Sequence, residues 1–525
     1  MGRLTSLLYA SPLYGYTLKR GPRPKLLGQP PGLWPGNPET GKSILDGRLH
    51  LAGQGREFRG FEEADTGAGE AWLAEAHGFS WLRHLKALET GPARALARDL
   101  AAGWIAAHDR WHPLAWRPDV LAERLINWFT HFAFIAEDEA EILASASAQA
   151  RHLARAVAGM DRDARRLHAL KGLVYCGVCL AGHDRLLETG LGLLEKETEY
   201  QVLPDGGHIE RSPSLQADLF RDFLDLRATL NAAHRETPDW MQGTIERMAP
   251  LLRGFRHGDG GLALFNDSFE GDPSAIDAVL AQAGVKGKPL SSAPHTGFHR
   301  LSAAGTLIIA DLGQPAPPGA DRHAHAGTLS FEMSVGRERL IVNCGARADE
   351  DWRTALRSTA AHSTLAVDDV NSSDVIPGKG LGRRPDEVIC SRRESEGSLF
   401  IEASHDGYRR PFGLVHRRRF YLAADGEDAR GEDALLGSGG RRFALRFHLH
   451  PRVQASMVRG ETEVLLRLPS GAGWRFRARG GDMSLERSVY VGDGRNVNRS
   501  RQIVVSGDLG GQGARVKWRL SREKA

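Results

Sequence analysis

Two histidines one residue apart, His323 and His325, stand in the run Asp321-Arg322-His323-Ala324-His325-Ala326-Gly327-Thr328-Leu329-Ser330-Phe331-Glu332. Imidazole titrates near neutrality, so such a pair suits proton transfer or metal ligation. On a strand, residues i and i+2 share a face, and the alternating apolar segment that the pair opens predicts a strand, so both rings reach one spot. A second polar group, His208, Glu210 and Arg211, lies between the turn Asp205-Gly206-Gly207 and Ser212-Pro213. Ser212 as N-cap and Pro213 as first helical residue account for those two. They leave His208, Glu210 and Arg211 unexplained, which makes the three cleft candidates.

The elements that must position these groups change character along the chain. Residues 1–65 are rich in Gly and Pro with strand-like pieces such as Arg48-Leu49-His50-Leu51, and read as an N-terminal extension. Residues 66–290 read as a helical domain: Leu167, Leu170, Val174 and Val178 recur at helical spacing, as do Leu215, Leu219, Phe223 and Leu226. Short breaks make antiparallel helical neighbours, in a bundle, solenoid or toroid. Trp104, Trp111, Trp116 and Trp128 fall in this apolar region and read mostly as core. Residues 291–525 switch to period two, with Trp474, Phe476 and Ala478 alternating with Arg475, Arg477 and Arg479. Many such short strands between Gly-rich turns predict an antiparallel β-sandwich.

The 525 residues suffice for two to four domains, and 41% hydrophobic with 26% charged residues is the composition of a soluble globular protein. The 69 basic against 65 acidic side chains leave +4, without the basic block of a nucleic-acid binder. Arg409-Arg410 and Arg417-Arg418-Arg419 are local clusters, either a solvated strand edge or the lining of a groove for an acidic polymer. Four cysteines are too few for a disulfide framework, and Cys176-Gly177-Val178-Cys179, with no second such pair, reads as core. No run reaches the roughly 18 apolar residues of a membrane span. Ser11-Pro12 and Tyr14 interrupt the apolar start before an export signal accumulates. Phosphate-binding Gly loops of the P-loop or dinucleotide type are missing.

Three blocks in order, His323 to Phe331, Gly336 to Gly345 and Ala361-His362-Ser363-Thr364, resemble the C-terminal domain of heparinase II/III polysaccharide lyases. Arg124-Leu125-Ile126-Asn127-Trp128, Asp205 to Pro213, His405-Asp406-Gly407-Tyr408 and Arg446 to Pro451 extend the likeness from about residue 95 onward. The resemblance implies an N-terminal (α/α) toroid-like helical domain followed by an antiparallel β-sandwich. The activity it implies is β-elimination on an acidic, uronate-containing glycan such as a glycosaminoglycan or alginate. That reaction must neutralise the C6 carboxylate, remove the C5 proton and protonate the leaving oxygen, and it needs no redox cofactor. His323, the first histidine of the pair, takes the cleft-facing catalytic place. His208, Arg211 and Tyr408 are further catalytic candidates, and Glu210 and His362 are candidates for substrate binding.

By the same resemblance His325 and, less securely aligned, His405 match zinc ligands. The third matching position is Asn343, whose neutral amide is a poor substitute for a carboxylate and is expected instead to hydrogen-bond His325. The family's tyrosine position holds Leu215, and Arg165-Arg166-Leu167-His168 stands where many members have Asn-His. Leucine transfers no proton, so a non-catalytic polysaccharide-binding protein is the alternative function. Hydrolysis by two carboxylates about 5–10 Å apart is a third, for which no pair identifies itself. The resemblance places the protein in the cell envelope or periplasm, and the missing export core leaves the cytoplasm as the alternative.

Overall fold

The computed structural model describes residues 3–20, 24–61, 67–347, 349–458, 460, 462–511 and 513–523. Two compact units divide the chain: Met1–Gln201 with Arg221–Gly243, and Val202–Phe220 with Thr244–Ala525. The division falls inside the helices Pro213–Ala232 and Asp239–Gly254.

The first unit is helical, and it includes the segment read as an extension, which forms the helices Pro12–Lys19 and Pro38–Leu45 before the hairpin Arg48–Leu51 with Gln54–Glu57. Side-chain caps start its helices where the sequence offers them. Ser11, Asn37, Thr90, Asp138 and Asp163 each accept from a backbone N–H of the first turn. Two glycines of the helix Ala164–Cys179 set its packing distances: a Cβ on Gly172 would lie 2.5 Å from the Ala122 Cβ, and one on Gly177 would lie 2.3 Å from the Leu187 backbone nitrogen. The helices Pro118–Thr130 and Asp184–Gln201 therefore approach more closely than a side chain would allow. Trp104, Trp116 and Trp128 are buried, as are the thiols Cys176 and Cys179. Arg124 is buried among them, its guanidinium 3.8 Å from the Trp104 ring centroid and bonded to Gln149 and the His77 carbonyl.

The second unit carries the β-sandwich. One antiparallel sheet runs in the order Gln454–Val458, Glu463–Arg467, Gly473–Arg479, Ala514–Arg522, Asp428–Gly437, Leu414–Leu422, Ser398–His405, Val388–Ser395. The other runs Asp482–Tyr490, Asn498–Asp508, Arg442–Leu449, Glu338–Val342, Phe331–Val335, Thr306–Asp311, Phe298–Ala303, Ser292–Ala293, and Leu365–Val367 pairs with Arg442–Leu449. Period-two alternation explains how they pack. Along Leu414–Leu422 every second residue is buried, and the inward Phe420 meets Phe331 of the opposite sheet and Trp518 of its own.

A charge lies inside this core. Asp433 accepts from His416 Nε2 at 2.8 Å, Arg418 Nε at 2.7 Å and Trp518 Nε1 at 2.9 Å. Arg418 then reaches across and donates to the carbonyls of Leu329 at 2.6 Å and Ser363 at 2.8 Å. The loop ahead of Phe331 is thus fastened from beneath by the other sheet.

That loop corrects one expectation. Residues 321–330 are irregular, and the strand begins only at Phe331, so His323 and His325 do not share a strand face. Leu329 at φ 64° and Gly327, where a Cβ would meet the His362 ring at 2.6 Å, show why a regular strand does not start sooner.

Removing the carboxylate in Asp433→Ala leaves the buried Arg418 uncompensated and should lower stability by about 3–5 kcal/mol. Urea unfolding of the intact protein measures it. A loss under about 1 kcal/mol would mean that the network does not hold the sheets.

Candidate active site

Three loops of the second unit meet at His323. The first is Val202–Ser212. Its turn is fixed by the Asp205 carboxylate, which accepts from the backbone N–H groups of His295 and Thr296, each at 2.8 Å. Gly207 lies against the Thr296 side chain, with its Cβ position 1.8 Å from Oγ1, so only glycine fits. Gln216 ties the loop to the helix that follows, donating to the Gly206 carbonyl and accepting from His208 N–H at 2.9 Å. The second loop, around Asn266-Asp267, has two consecutive left-handed residues at φ 50° and 54°. Asn and Asp tolerate this conformation better than other residues with a Cβ, yet strain of this kind gathers at functional sites. Asn266 joins the other two loops: its Oδ1 accepts from His325 N–H at 3.0 Å and its Nδ2 donates to the Arg211 carbonyl at 2.9 Å. Arg211 itself is left-handed, φ 59°.

The third loop delivers both histidines of the pair to one carboxylate. His323 Nδ1 bonds Asp267 Oδ2 at 3.0 Å, and His325 Nε2 bonds Oδ1 at 2.9 Å. Arg353, from the helix Glu350–Leu356, donates to Oδ2 at 2.8 Å and to the Arg322 carbonyl at 2.7 Å. With Nδ1 engaged, His323 presents Nε2 toward Glu210 Oε2 at 3.9 Å, too far for a direct hydrogen bond and suited to a bridging hydroxyl. The His323 side chain is 37% exposed, whereas His208 and Glu210 are buried.

Burial opposes charge on His323, but the hydrogen bond and charge of Asp267, with Glu210 behind, raise its pKa above the usual histidine value. Asp267 responds inversely. Burial alone would raise its pKa, and the two histidines hold it well below the ordinary carboxylate range. His208 is pushed down to about 3 by burial and by His323, so it is neutral; its Nδ1 accepts from the Glu210 N–H at 3.3 Å.

The other candidates lie elsewhere in the second unit's architecture. Arg211 is locked in a buried ion pair with Asp311, donates to the Thr296 carbonyl at 2.6 Å and covers the Phe298 ring, so its guanidinium braces the loop. Tyr408 is a correction: fully buried in the sandwich core, it donates its hydroxyl to the Leu365 carbonyl at 2.9 Å, and burial raises its pKa. His362 is buried against His325, with 3.1 Å between Nε2 and His325 Nδ1, while its own Nδ1 donates to the Ser358 carbonyl.

His325 and His405 do not come together as a ligand pair. His405 contacts His416 at 3.3 Å and accepts from Gly407 N–H, while both nitrogens of His325 are taken by His362 and Asp267. The expected bond from Asn343 to His325 is not formed; the amide oxygen accepts from Ser363 N–H at 3.0 Å. No group of three or more His, Cys, Asp or Glu among the described residues is placed to hold a metal ion. His325 and His405 therefore do not form one ligand set.

Sequence reading missed Asp267 and Asn266, whose only local signal was an Asn-Asp pair between apolar and Gly-rich segments. It also missed a network in the first unit, where His168 bridges Glu123 and Asp222 at 2.9 Å each, and Lys171 bonds Asp222 and Asp225 at 2.7 Å each. Burial lowers the His168 pKa, yet Asp222 and Glu123 together lift it to about 10.

Residues 105–285 match the family model described as Heparinase II/III N-terminus, and residues 285–519 match Heparinase II/III-like, C-terminal. The FtsZ-localized protein C of Caulobacter vibrioides is 30% identical over 530 residues, covering 95% of this chain and 91% of its own length. The heparin-sulfate lyase of Pedobacter heparinus is 24% identical over 321 residues, 52% of this chain and 48% of its own. Among solved structures, heparinase III matches with a TM-score of 0.77 at 14% identity, over 97% of this chain and 88% of that one. The heparan sulfate lyase of Pedobacter heparinus matches at 0.62 and 17% identity, over 93% and 83%. The fold is therefore a helical toroid-like part followed by a β-sandwich.

The His323 ring should titrate above the ordinary histidine value of about 6.5 in the intact protein, and Asp267→Asn should bring it down. Because the folded pKa is the raised one, the pairing stabilises fully below about pH 6.5 and drains away as pH rises through the folded value. Histidine ring NMR reads both, and an unchanged titration in Asp267→Asn would detach the carboxylate from His323.

Proposed function

Because the chain belongs to the heparinase II/III family, we propose that it cleaves an acidic, uronate-containing polysaccharide or oligosaccharide by β-elimination at His323. The observation that carries this reading is the His323 ring, held through Nδ1 by Asp267, with its Nε2 aimed across a 3.9 Å gap at Glu210. A protonated imidazole is an acid, so His323 gives its Nε2 proton to the leaving C4 oxygen as that bond breaks. The Glu210 carboxylate takes the C5 proton, and the released electron pair forms the C4–C5 double bond. Leu215, in the family's tyrosine position, takes no part in proton transfer.

That leucine favours a second reading, in which the protein binds a glycan without cleaving it. The Caulobacter relative, similar over almost the whole chain, is named for localisation with FtsZ and not for a reaction. Under this reading the protein acts in company with FtsZ, and the His323 site is a binding site.

The discriminating measurement incubates the purified protein with uronic-acid polymers and follows the ultraviolet absorbance of the new double bond. Lyase action predicts rising absorbance, lowered about 100- to 10,000-fold in His323→Ala and in Glu210→Gln. Binding without absorbance on any polymer would reject cleavage and leave the second reading.

A further inference from the structure

The outer face of the sheet built on Leu414–Leu422 is strongly cationic. Alternation turns Arg417 and Arg419 outward, and the strand registers bring Arg430, Arg475, Arg477, Arg479, Arg515, Lys517 and Arg519 to the same face. The registers also turn Arg393 and Arg467 to this face, which makes eleven cations; five carboxylates accompany them, Glu402, Asp428, Glu432, Glu463 and Glu523, leaving +6. The entire chain has a formal charge of +4, so this one face carries more than the whole net charge.

Its arrangement runs against sheet stability. Arg430, Arg519 and Arg477 stand directly opposite one another on three neighbouring strands, and Lys517 stands opposite Arg479. Like charges so placed are destabilising, at strand spacings of about 4.8 Å. Asp428 pairs with Arg430 and Arg519, and Glu463 with Arg477, so the acids offset the facing row in part and leave the face in surplus. Glu432 alone is shared by Arg417, Arg419, Arg515 and Lys517 at 3.3–4.0 Å. Arg515 and Lys517 remain 57% and 68% exposed. A local rule broken without a structural gain marks a functional surface.

We propose that this face binds an acidic polysaccharide, along the strands and apart from His323, as a second site for the polymer. Ten of the eleven cations are arginines, whose planar forks match carboxylate and sulfate groups in pairs. Regular spacing over several strands suits a polymer with repeating charge. A lipid surface fits less well, since the exposed large apolar side chains of the face, Leu436 and Ile389, sit at strand ends on either side of the charged rows rather than forming a patch for insertion. The choice of glycan rests on the reading of the chain as a protein for acidic glycans; the surplus charge does not.

The test measures binding of the intact protein to heparan sulfate and to alginate by calorimetry, at two salt concentrations, with a thermal melt of each variant as the fold control. Arg479→Ser/Arg515→Ser/Lys517→Ser should weaken binding about tenfold and flatten its salt dependence. Glu432→Gln should tighten binding about threefold, an opposite sign that unfolding cannot imitate. Unchanged affinity in both variants overturns the proposal. So does a wild-type protein that ignores both polymers and binds phosphatidylglycerol vesicles or DNA through the same residues. Absorbance growth with unaltered binding in the variants would sink this face and spare the lyase, whereas binding that depends on the face without any absorbance would do the reverse.

Discussion

One carboxylate organises the candidate site. Asp267 takes the His323 imidazole and the Arg353 guanidinium on Oδ2 and lies against the His325 ring, to which its backbone N–H donates, and it does so from a left-handed backbone that costs free energy on its own. Asn266 beside it bonds the loops of Arg211 and His325. The strained pair therefore persists because the partners on every side need it. His323 depends on it most directly: without Asp267 its ring would have neither a fixed orientation nor a raised pKa. The second histidine, His325, braces the carboxylate from the buried side and is itself backed by His362.

Beneath the loops the sandwich supplies rigidity in the same manner, through an internal charge that is fully matched. Asp433 and Arg418 would each be costly alone, and together with His416 and Trp518 they satisfy one another. The arginine has donors left over for Leu329 and Ser363, so the core network extends to the loop of the histidine pair. Packing of the two sheets and placement of His323 are in this respect one problem, solved by one side chain.

Much of this architecture was legible in the residues, and the failures have physical causes. Alternation in Leu414–Leu422 and Gly473–Arg479 reveals strands because side chains in a sheet must alternate, and helical spacing reveals the first unit for the corresponding reason. The histidine pair pointed to a shared target, but the geometry assumed was wrong. A strand would have aligned the rings, whereas the loop brings them to opposite oxygens of a residue more than fifty positions away. Asp267 had no periodic pattern to announce it, since loop residues are positioned by tertiary contacts. Tyr408 misled because a polar tip on an aromatic ring reads the same in a cleft as in a core, and here its hydroxyl found a backbone carbonyl inside. The arginines of one strand were visible in sequence; their rows across strands distant in the chain required the register.

The distribution of charge separates two tasks within the second unit. Around His323 the charges nearly cancel, with Asp267 and Glu210 against Arg353 and His323 itself. A site so balanced is well placed to move protons and poorly placed to attract a polyanion over distance. The long-range pull must come from uncompensated charge, and that is concentrated on the outer sheet face. Attraction and chemistry are then governed by different residues, so either can be lost while the other survives. A chain with leucine in the family's tyrosine position, similar along almost its entire length to a protein named for where it localises, is compatible with this division: its sheet face needs no proton donor in order to hold a polymer.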